Sequence, residues 1–227
     1  MLAIAISWRQ FVYFNDLISA NQFTQSIGLP GATIAPPING VRYLADPNFF
    51  PKIGRFLRID DPHELVAKCN VVSQVICEVI RQEVGCNAYL TIGDVTFSGE
   101  PFFNINQGYV RQLITGGKRS LNPQQYHHHA WITLDSMEVI DFTMNTSMAL
   151  LSKDLSPEMR EKMLGGVMSG HGDEFRLGVQ YHPVLIGEEF YLEYDAAYPI
   201  LKKMYVAVLE GKPASDSTRF IPVSGNG

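Results

Sequence analysis

The clearest pattern of apolar and polar positions lies at residues 61–84. Valines and isoleucines recur there at the i, i+3, i+4, i+7 spacing of one buried helix face: Val72, Val75, Ile76, Val79 and Ile80. The preceding segment, Asp61-Pro62-His63-Glu64, offers an N-cap, a proline at the first helical position and a capping-box glutamate. We therefore expect one helix across 61–84, ended by Gly85.

Alternation of apolar and polar residues predicts strands in much of the remaining chain. The expected strands cover residues 88–93, 128–134, 137–142, 177–186 and 189–194. Further helices are expected within 8–26, at 156–164 and at 198–209. This order of a helix, a run of mostly antiparallel strands and terminal helices is typical of an α+β fold.

Two stretches rich in proline and glycine interrupt this pattern. Residues 27–52 are expected to be irregular, and an irregular stretch of this length is often functional, here as one wall of a cleft. Residues 98–125 contain four glycines and two prolines and are predicted to form a mobile flap. The polar segment 212–227 is predicted to be a flexible tail.

Composition narrows the class of protein. Of 227 residues, 46% are hydrophobic and 18% are charged, which is typical of a globular chain with a core. The net charge is −5 and the basic residues are scattered, so we expect no nucleic-acid partner. No apolar stretch reaches the length of about 18 residues that a membrane span needs, so we expect no membrane partner.

Cysteine usage and the N-terminus bear on the compartment. Three cysteines, an odd number at low density, make a poor disulfide framework. The first residues lack the basic region of a signal peptide. We therefore expect a cytoplasmic protein, while the composition leaves its oligomeric state undetermined.

Candidate catalytic residues occur on two neighbouring strands. His129 lies at the start of one expected strand, and Asp141 lies on the next, where the two can meet as a base and its orienting group. Steps of 100° per residue place Cys69 on the core side of the predicted helix, so its thiol would meet the imidazole if that helix packs on the sheet. Cys, His and Asp in this arrangement can act as nucleophile, base and orienter.

The order of these residues resembles the transglutaminase-like branch of the papain-like cysteine enzymes. Four elements between about residues 68 and 143 carry the resemblance: Cys69, Gly85 with the strand Ala88–Gly93, His129-Ala130-Trp131, and Asp141-Phe142-Thr143. The resemblance implies a papain-like fold in which the nucleophile helix packs on an antiparallel β-sheet. It implies a Cys69–His129–Asp141 triad that requires no cofactor and no metal ion.

This resemblance implies a cysteine-dependent hydrolase or acyltransferase that attacks an amide or peptide bond and forms a thioester intermediate. A peptidase, an amidase or a deamidase would fit, with a peptide, a protein or a small amide as substrate. We expect a single domain, 1–227, divided into an N-terminal helix with a cleft wall (1–60), a catalytic core (61–143), C-terminal strands and helix (144–211) and the tail. The alternative is a catalytically inactive binding protein that retains the fold.

Two positions depart from the family pattern. Ala67-Lys68 precedes Cys69 where the family often shows Gly-x-Cys, and Phe142 replaces a proline. If the helix runs unbroken from Pro62, Cys69 lies about two turns inside it and gains little from the helix dipole. Either the helix breaks near Lys68, or activation rests mainly on His129.

Other roles remain open for some of these residues. Cys77 or Cys86 could be the reactive thiol in place of Cys69. Asp141 could serve only to cap a turn. Trp131 is expected in the core, where it would also shield the thiol–imidazole pair from water.

The three consecutive histidines also permit a metal site. His127 and His129 share one face of the expected strand, and His171 and His182 could complete a ligand set. His128 should point to the other face. No His-Glu-x-x-His motif occurs, so the spacing favours the triad over a zinc site.

Overall fold

The computed structural model describes residues 12–37, 40–54, 62–65, 68–116, 128–152, 155–175, 178–195 and 197–209. These ranges contain eight α-helices and one six-stranded antiparallel sheet, which confirms the α+β class. The helices are α1 (Val12–Ser26), α2 (Phe49–Gly54), α3 (Cys69–Glu83), α4 (Gln107–Thr115), α5 (Met144–Leu151), α6 (Pro157–Met163), α7 (Glu189–Tyr194) and α8 (Tyr198–Leu209). The strands are β1 (Ala88–Phe97), β2 (Glu100–Pro101), β3 (His129–Leu134), β4 (Glu138–Asp141), β5 (Met168–His171) and β6 (Val179–Ile186). The predicted tail, 212–227, and residues 117–125 of the predicted flap lie outside the described residues.

The sheet is organised around β1, which pairs on both of its edges. Strand β6 occupies one edge, while β3 and then the short β2 occupy the other. Strands β4 and β5 follow beyond β3, and every pairing is antiparallel. The β1–β3 register places Gly93 directly across from His129.

Helices cover both faces of this sheet. Helix α3 packs against β3 and β1, and its apolar face joins a core with alternate strand residues such as Leu90 and Ile132. Helix α1 packs on β6, and its Leu17 lies in a second core with Trp131 and Val139. Because both faces are covered, all six residues of β3 are buried.

A chain of buried hydroxyl groups joins α1 to the sheet. The Trp131 indole N–H donates to the Tyr13 hydroxyl at 2.8 Å, and that hydroxyl lies 2.7 Å from the Thr133 side-chain oxygen. Thr133 in turn lies 2.8 Å from the Thr91 hydroxyl on β1. All four side chains are buried, so these bonds fix the rotation of α1 over the strands.

The predicted single helix across 61–84 is wrong, because two separate elements cover this stretch. Pro62–Leu65 forms a 3₁₀ turn, and α3 begins only at Cys69. The backbone of Lys68 has φ −124° and ψ 16°, outside the helical region. The break lets Leu65 turn into the same core as the buried face of α3.

The predicted strand at 189–194 is also wrong, because these residues form α7. Phe190 and Tyr191 are adjacent and both buried, whereas a strand would send neighbouring side chains to opposite faces. The helical turn directs both rings inward, where Tyr191 stacks on Tyr198 of α8 at 5.0 Å. Residues 27–52, predicted to be irregular, include the start of α2 and a 3₁₀ turn at Tyr43–Ala45.

Candidate active site

Cys69 lies at the N-terminus of α3, as its first residue. Of the two possibilities that the sequence left open, the chain therefore adopts the helix break near Lys68. The first N–H groups of a helix lack intrahelical partners, and together with the helix dipole they favour a negative charge at this end. The Cys69 side chain is half-buried and is a free thiol.

His129 opens β3 and contacts both of the other predicted triad residues. Its Nε2 lies 2.7 Å from Asp141 Oδ2, and the Cys69 side chain lies near enough to its ring to raise the pKa of the imidazole. Since Nε2 is taken by Asp141, Nδ1 remains for the thiol. The structure thus brings Cys69, His129 and Asp141 together, and their roles as nucleophile, base and orienting group stay a prediction.

The register of the β3–β4 hairpin explains the His129–Asp141 contact. Ile132 pairs with Ile140 and Thr133 with Val139. Extending this register puts Asp141 opposite Trp131, so that Asp141 reaches His129 as a diagonal neighbour on the same sheet face. Both side chains are buried, with exposed fractions of 1% for His129 and 0% for Asp141.

The electrostatics of this pair favour the charged forms of both residues. Burial lowers the pKa of His129, but the charges and hydrogen bonds of Asp141 and Cys69 outweigh burial and raise that pKa from 6.5 to about 10. Burial raises the pKa of Asp141, but His129 and two backbone N–H groups outweigh it and lower that pKa. An imidazolium beside a carboxylate is therefore the expected state at neutral pH.

Asp141 accepts hydrogen bonds at both carboxylate oxygens. Oδ1 accepts from the Thr143 N–H at 2.9 Å, the Thr143 hydroxyl at 3.2 Å and the Met144 N–H at 2.9 Å, at the start of α5. Oδ2 accepts from His129 and from the Tyr181 hydroxyl, the latter at 3.0 Å. Asp141 therefore does cap a turn, as the alternative held, and it also binds His129.

Aromatic rings cover the imidazole. The Phe103 ring is stacked on His129 with centroids 4.9 Å apart and an interplanar angle of 5°. The Phe103 N–H donates to Asp94 Oδ1 at 2.8 Å, which anchors this ring over the site. Trp131, predicted in the core, is fully buried, and its ring centroid lies 6.2 Å from that of His129.

Two contacts hold the helix and the strands in register. Ser73, one turn after Cys69, donates its hydroxyl to the Ala130 carbonyl at 3.1 Å and so ties α3 to β3. Gly93 leaves room for the strands to meet, because a Cβ there would overlap the His182 carbonyl and lie 2.8 Å from the Trp131 ring. This close approach requires glycine.

The other two thiols lie in environments that oppose ionisation. Burial raises the pKa of Cys77 to about 12. Burial and the nearby Asp135 carboxylate raise the pKa of Cys86 to about 12. A reactive thiolate is therefore disfavoured at both positions.

Three other histidines have contacts elsewhere in the fold. His128 packs against the Tyr191 ring at 5.5 Å, away from the triad as expected, and His127 lies outside the described residues. His182 Nε2 lies 3.0 Å from the Thr96 hydroxyl, and His171 lies near Asp173. Within the described part of the chain, no group of three His, Cys, Asp or Glu side chains is placed to hold a metal ion.

Sequence reasoning missed several residues that shape the site. Ser73 had a usable signal, because it lies four positions after Cys69 on the same helix face. Thr143, two positions after Asp141, is a typical partner in an Asx turn. Phe103 and Tyr181 had no local signal, since both reach the site from elements distant in sequence.

Comparisons of the chain with family models, with curated proteins and with solved structures gave no match. The resemblance to transglutaminase-like enzymes therefore stays a prediction from the sequence. None of the helices in the described ranges combines the length and the apolar character needed to cross a membrane.

Proposed function

We propose that the chain is a cysteine-dependent hydrolase or acyltransferase of the transglutaminase-like, papain-like kind, acting on an amide or peptide bond. One observation carries the proposal: a buried imidazole that bonds a carboxylate on one side and lies near a thiol at a helix N-terminus on the other. An inactive binding protein would not need these three groups aligned, and a thiol out of reach of His129 would have favoured that alternative. The contact between Cys69 and His129 favours the enzyme.

In the proposed first half-reaction, Cys69 attacks as a thiolate while His129 holds the proton. The sulfur forms a bond to the carbonyl carbon, and the π electrons move to the carbonyl oxygen. The backbone N–H of Cys69, at the helix start, is the natural first donor to this oxyanion. When the carbonyl re-forms, the C–N bond breaks, and His129 gives its proton to the leaving amine.

In the second half-reaction, the thioester passes its acyl group to water or to an amine. The now neutral His129 accepts a proton from this nucleophile as it attacks, and the C–S bond breaks to restore the thiolate. Asp141 remains ionised and orients the imidazole throughout. Every bond and proton in the two half-reactions is accounted for without a cofactor.

Thiol alkylation tests the nucleophile. Iodoacetamide at about pH 6 should label Cys69 rapidly, because the proposed attack requires a thiolate, whereas an ordinary thiol is barely ionised there. Peptide mass spectrometry locates the label, and the buried Cys77 and Cys86 serve as internal controls. Labelling that persists at an unchanged rate in Cys69→Ala would overturn the assignment.

A panel of amide and peptide electrophiles then separates enzyme from binding protein. Acyl transfer predicts a mass increase on Cys69 that decays with time, as the thioester is hydrolysed or passed to an added amine. Cys69→Ala is the matched control, and His129→Gln should retain the thiol but lose the reaction. A thiol that alkylates rapidly but never acylates on any of these probes would favour the binding protein.

A further inference from the structure

Tyr181 on β6 places its hydroxyl against the triad from the far side of Asp141. The side chain is 3% exposed, and the hydroxyl donates to Asp141 Oδ2 at 3.0 Å. His129 binds the same oxygen at 2.7 Å. A methionine sulfur, Met168 Sδ, lies 3.9 Å from this hydroxyl and is a much weaker acceptor than a carboxylate.

The orientation of the Asp141 carboxylate does not depend on Tyr181. Three donors, from Thr143 and Met144, already fix the other oxygen, Oδ1. The Tyr181 bond therefore acts mainly on the charge of Oδ2, which two donors share.

We propose that Tyr181 acts on His129 through Asp141. Its hydroxyl donates to the same carboxylate oxygen that binds His129, and this second hydrogen bond limits how strongly the imidazole retains its proton. The catalytic consequence rests on the proposed function. His129 must hold a proton in the resting enzyme and release it to the leaving amine, so an imidazole that is too basic slows the release.

Among the described residues, the titratable groups that act on His129 and Asp141 come from separate elements. Cys69 faces it from α3 and Asp141 from β4, while Tyr181 and then Tyr13 on α1 lie behind Asp141. Burial and the Asp141 charge hold the pKa of Tyr181 well above its ordinary value. Tyr181 is therefore a neutral donor over the whole working pH range.

The test is a ¹⁵N NMR titration of His129 in a Cys69→Ala chain, where the thiol no longer contributes. His129→Gln assigns the signal. Tyr181→Phe should raise the His129 midpoint by roughly half to one pH unit, because Asp141 loses a competing donor. The control is Tyr89→Phe, which removes a buried hydroxyl that donates to the Thr33 carbonyl. An unchanged or lowered midpoint in Tyr181→Phe would overturn the inference.

A second change at position 181 should shift the His129 midpoint in the opposite direction while it keeps the aromatic ring in place. A 3-fluorotyrosine incorporated at position 181 is a stronger donor, so the His129 midpoint should fall; a midpoint that stays constant or rises would refute the inference. Neither titration depends on turnover, so each can fail or succeed independently of the proposed enzyme function. If turnover is found, Tyr181→Phe should lower kcat, leave KM unchanged and move the alkaline limb of the pH profile upward.

Discussion

Gly93→Ala is the sharpest structural test of how the site is built. Gly93 lies across from His129 in the β1–β3 ladder, at a point where the β1–β6 register shifts. The added methyl group would overlap the His182 carbonyl and press on Trp131. Trp131 cannot retreat freely, because it is fully buried and its indole N–H is bonded to Tyr13.

The expected cost follows from these contacts. Overpacking a filled core costs about 1–3 kcal/mol, and a strained or broken buried hydrogen bond adds about 1–3 kcal/mol. We expect a loss of about 3 kcal/mol in the free energy of unfolding, which corresponds to a melting temperature lower by roughly 6–12 °C in a chain of this size. The displaced strand should also slow Cys69 alkylation at least about tenfold, since a shift of His129 loosens its contacts on both sides.

Urea denaturation and alkylation at about pH 6 measure the two effects on the same samples. Gly54→Ala is the matched control, because a Cβ there meets no atom within 4 Å and the position ends a helix on the surface. This control should be neutral or slightly stabilising. If Gly93→Ala loses less than about 1 kcal/mol and alkylates at the wild-type rate, the packing argument fails.

Two further substitutions test the electrostatics. Asp141→Asn removes the charge that raises the pKa of His129 against the effect of burial. NMR should then show a titration midpoint of His129 below about 7, and alkylation of the Cys69 thiol at pH 6 should slow at least about tenfold. An unmoved His129 midpoint would contradict this. Lys202→Met removes an ammonium that lies 2.8 Å from Glu78 and 2.9 Å from Glu188, and should cost about 1–2 kcal/mol at pH 7 in urea denaturation. Burial raises the pKa of Glu78, but Lys202 and the other partners lower it overall, so this stabilisation is present above the ordinary carboxyl pKa and is lost as the pH falls through the lowered value. The stabilities of wild type and variant should therefore converge as the pH falls below the lowered carboxyl pKa, and equal stability at pH 7 would exclude the contribution.

The parts of the site that the sequence predicted are those with local patterns. Alternation along 128–142 predicts the β3–β4 hairpin, and a hairpin of this register brings His129 to Asp141 without any knowledge of the remaining fold. The apolar face of α3 predicts a helix packed on the sheet. The fold class follows from the order of these elements, and the structure agrees.

The parts that could not be predicted depend on contacts distant in sequence. The break before Cys69 is favoured because Leu65 gains a buried position in a core whose other members lie elsewhere in the chain. The local pattern of 189–194 predicts a strand, but burial of its rings beside Tyr198 favours the helix that the structure shows. Tyr181 and Asp141 are forty residues apart, so no local pattern could have paired them.

The hydroxyl chain between α1 and the sheet has an evolutionary consequence. The Tyr13 oxygen accepts from the Trp131 indole N–H and lies within hydrogen-bond distance of the Thr133 hydroxyl, so a change to Phe at position 13 leaves the buried indole without this acceptor and leaves Thr133 with only its bond to Thr91. Tyr13 and Trp131 therefore constrain each other. Descendants of this chain that lose the tyrosine should also replace the tryptophan with a residue that has no buried N–H, whereas the threonine can keep its bond to Thr91. Substitutions at the tyrosine and tryptophan positions should be correlated, whereas substitutions at the exposed residues of α1 should occur independently.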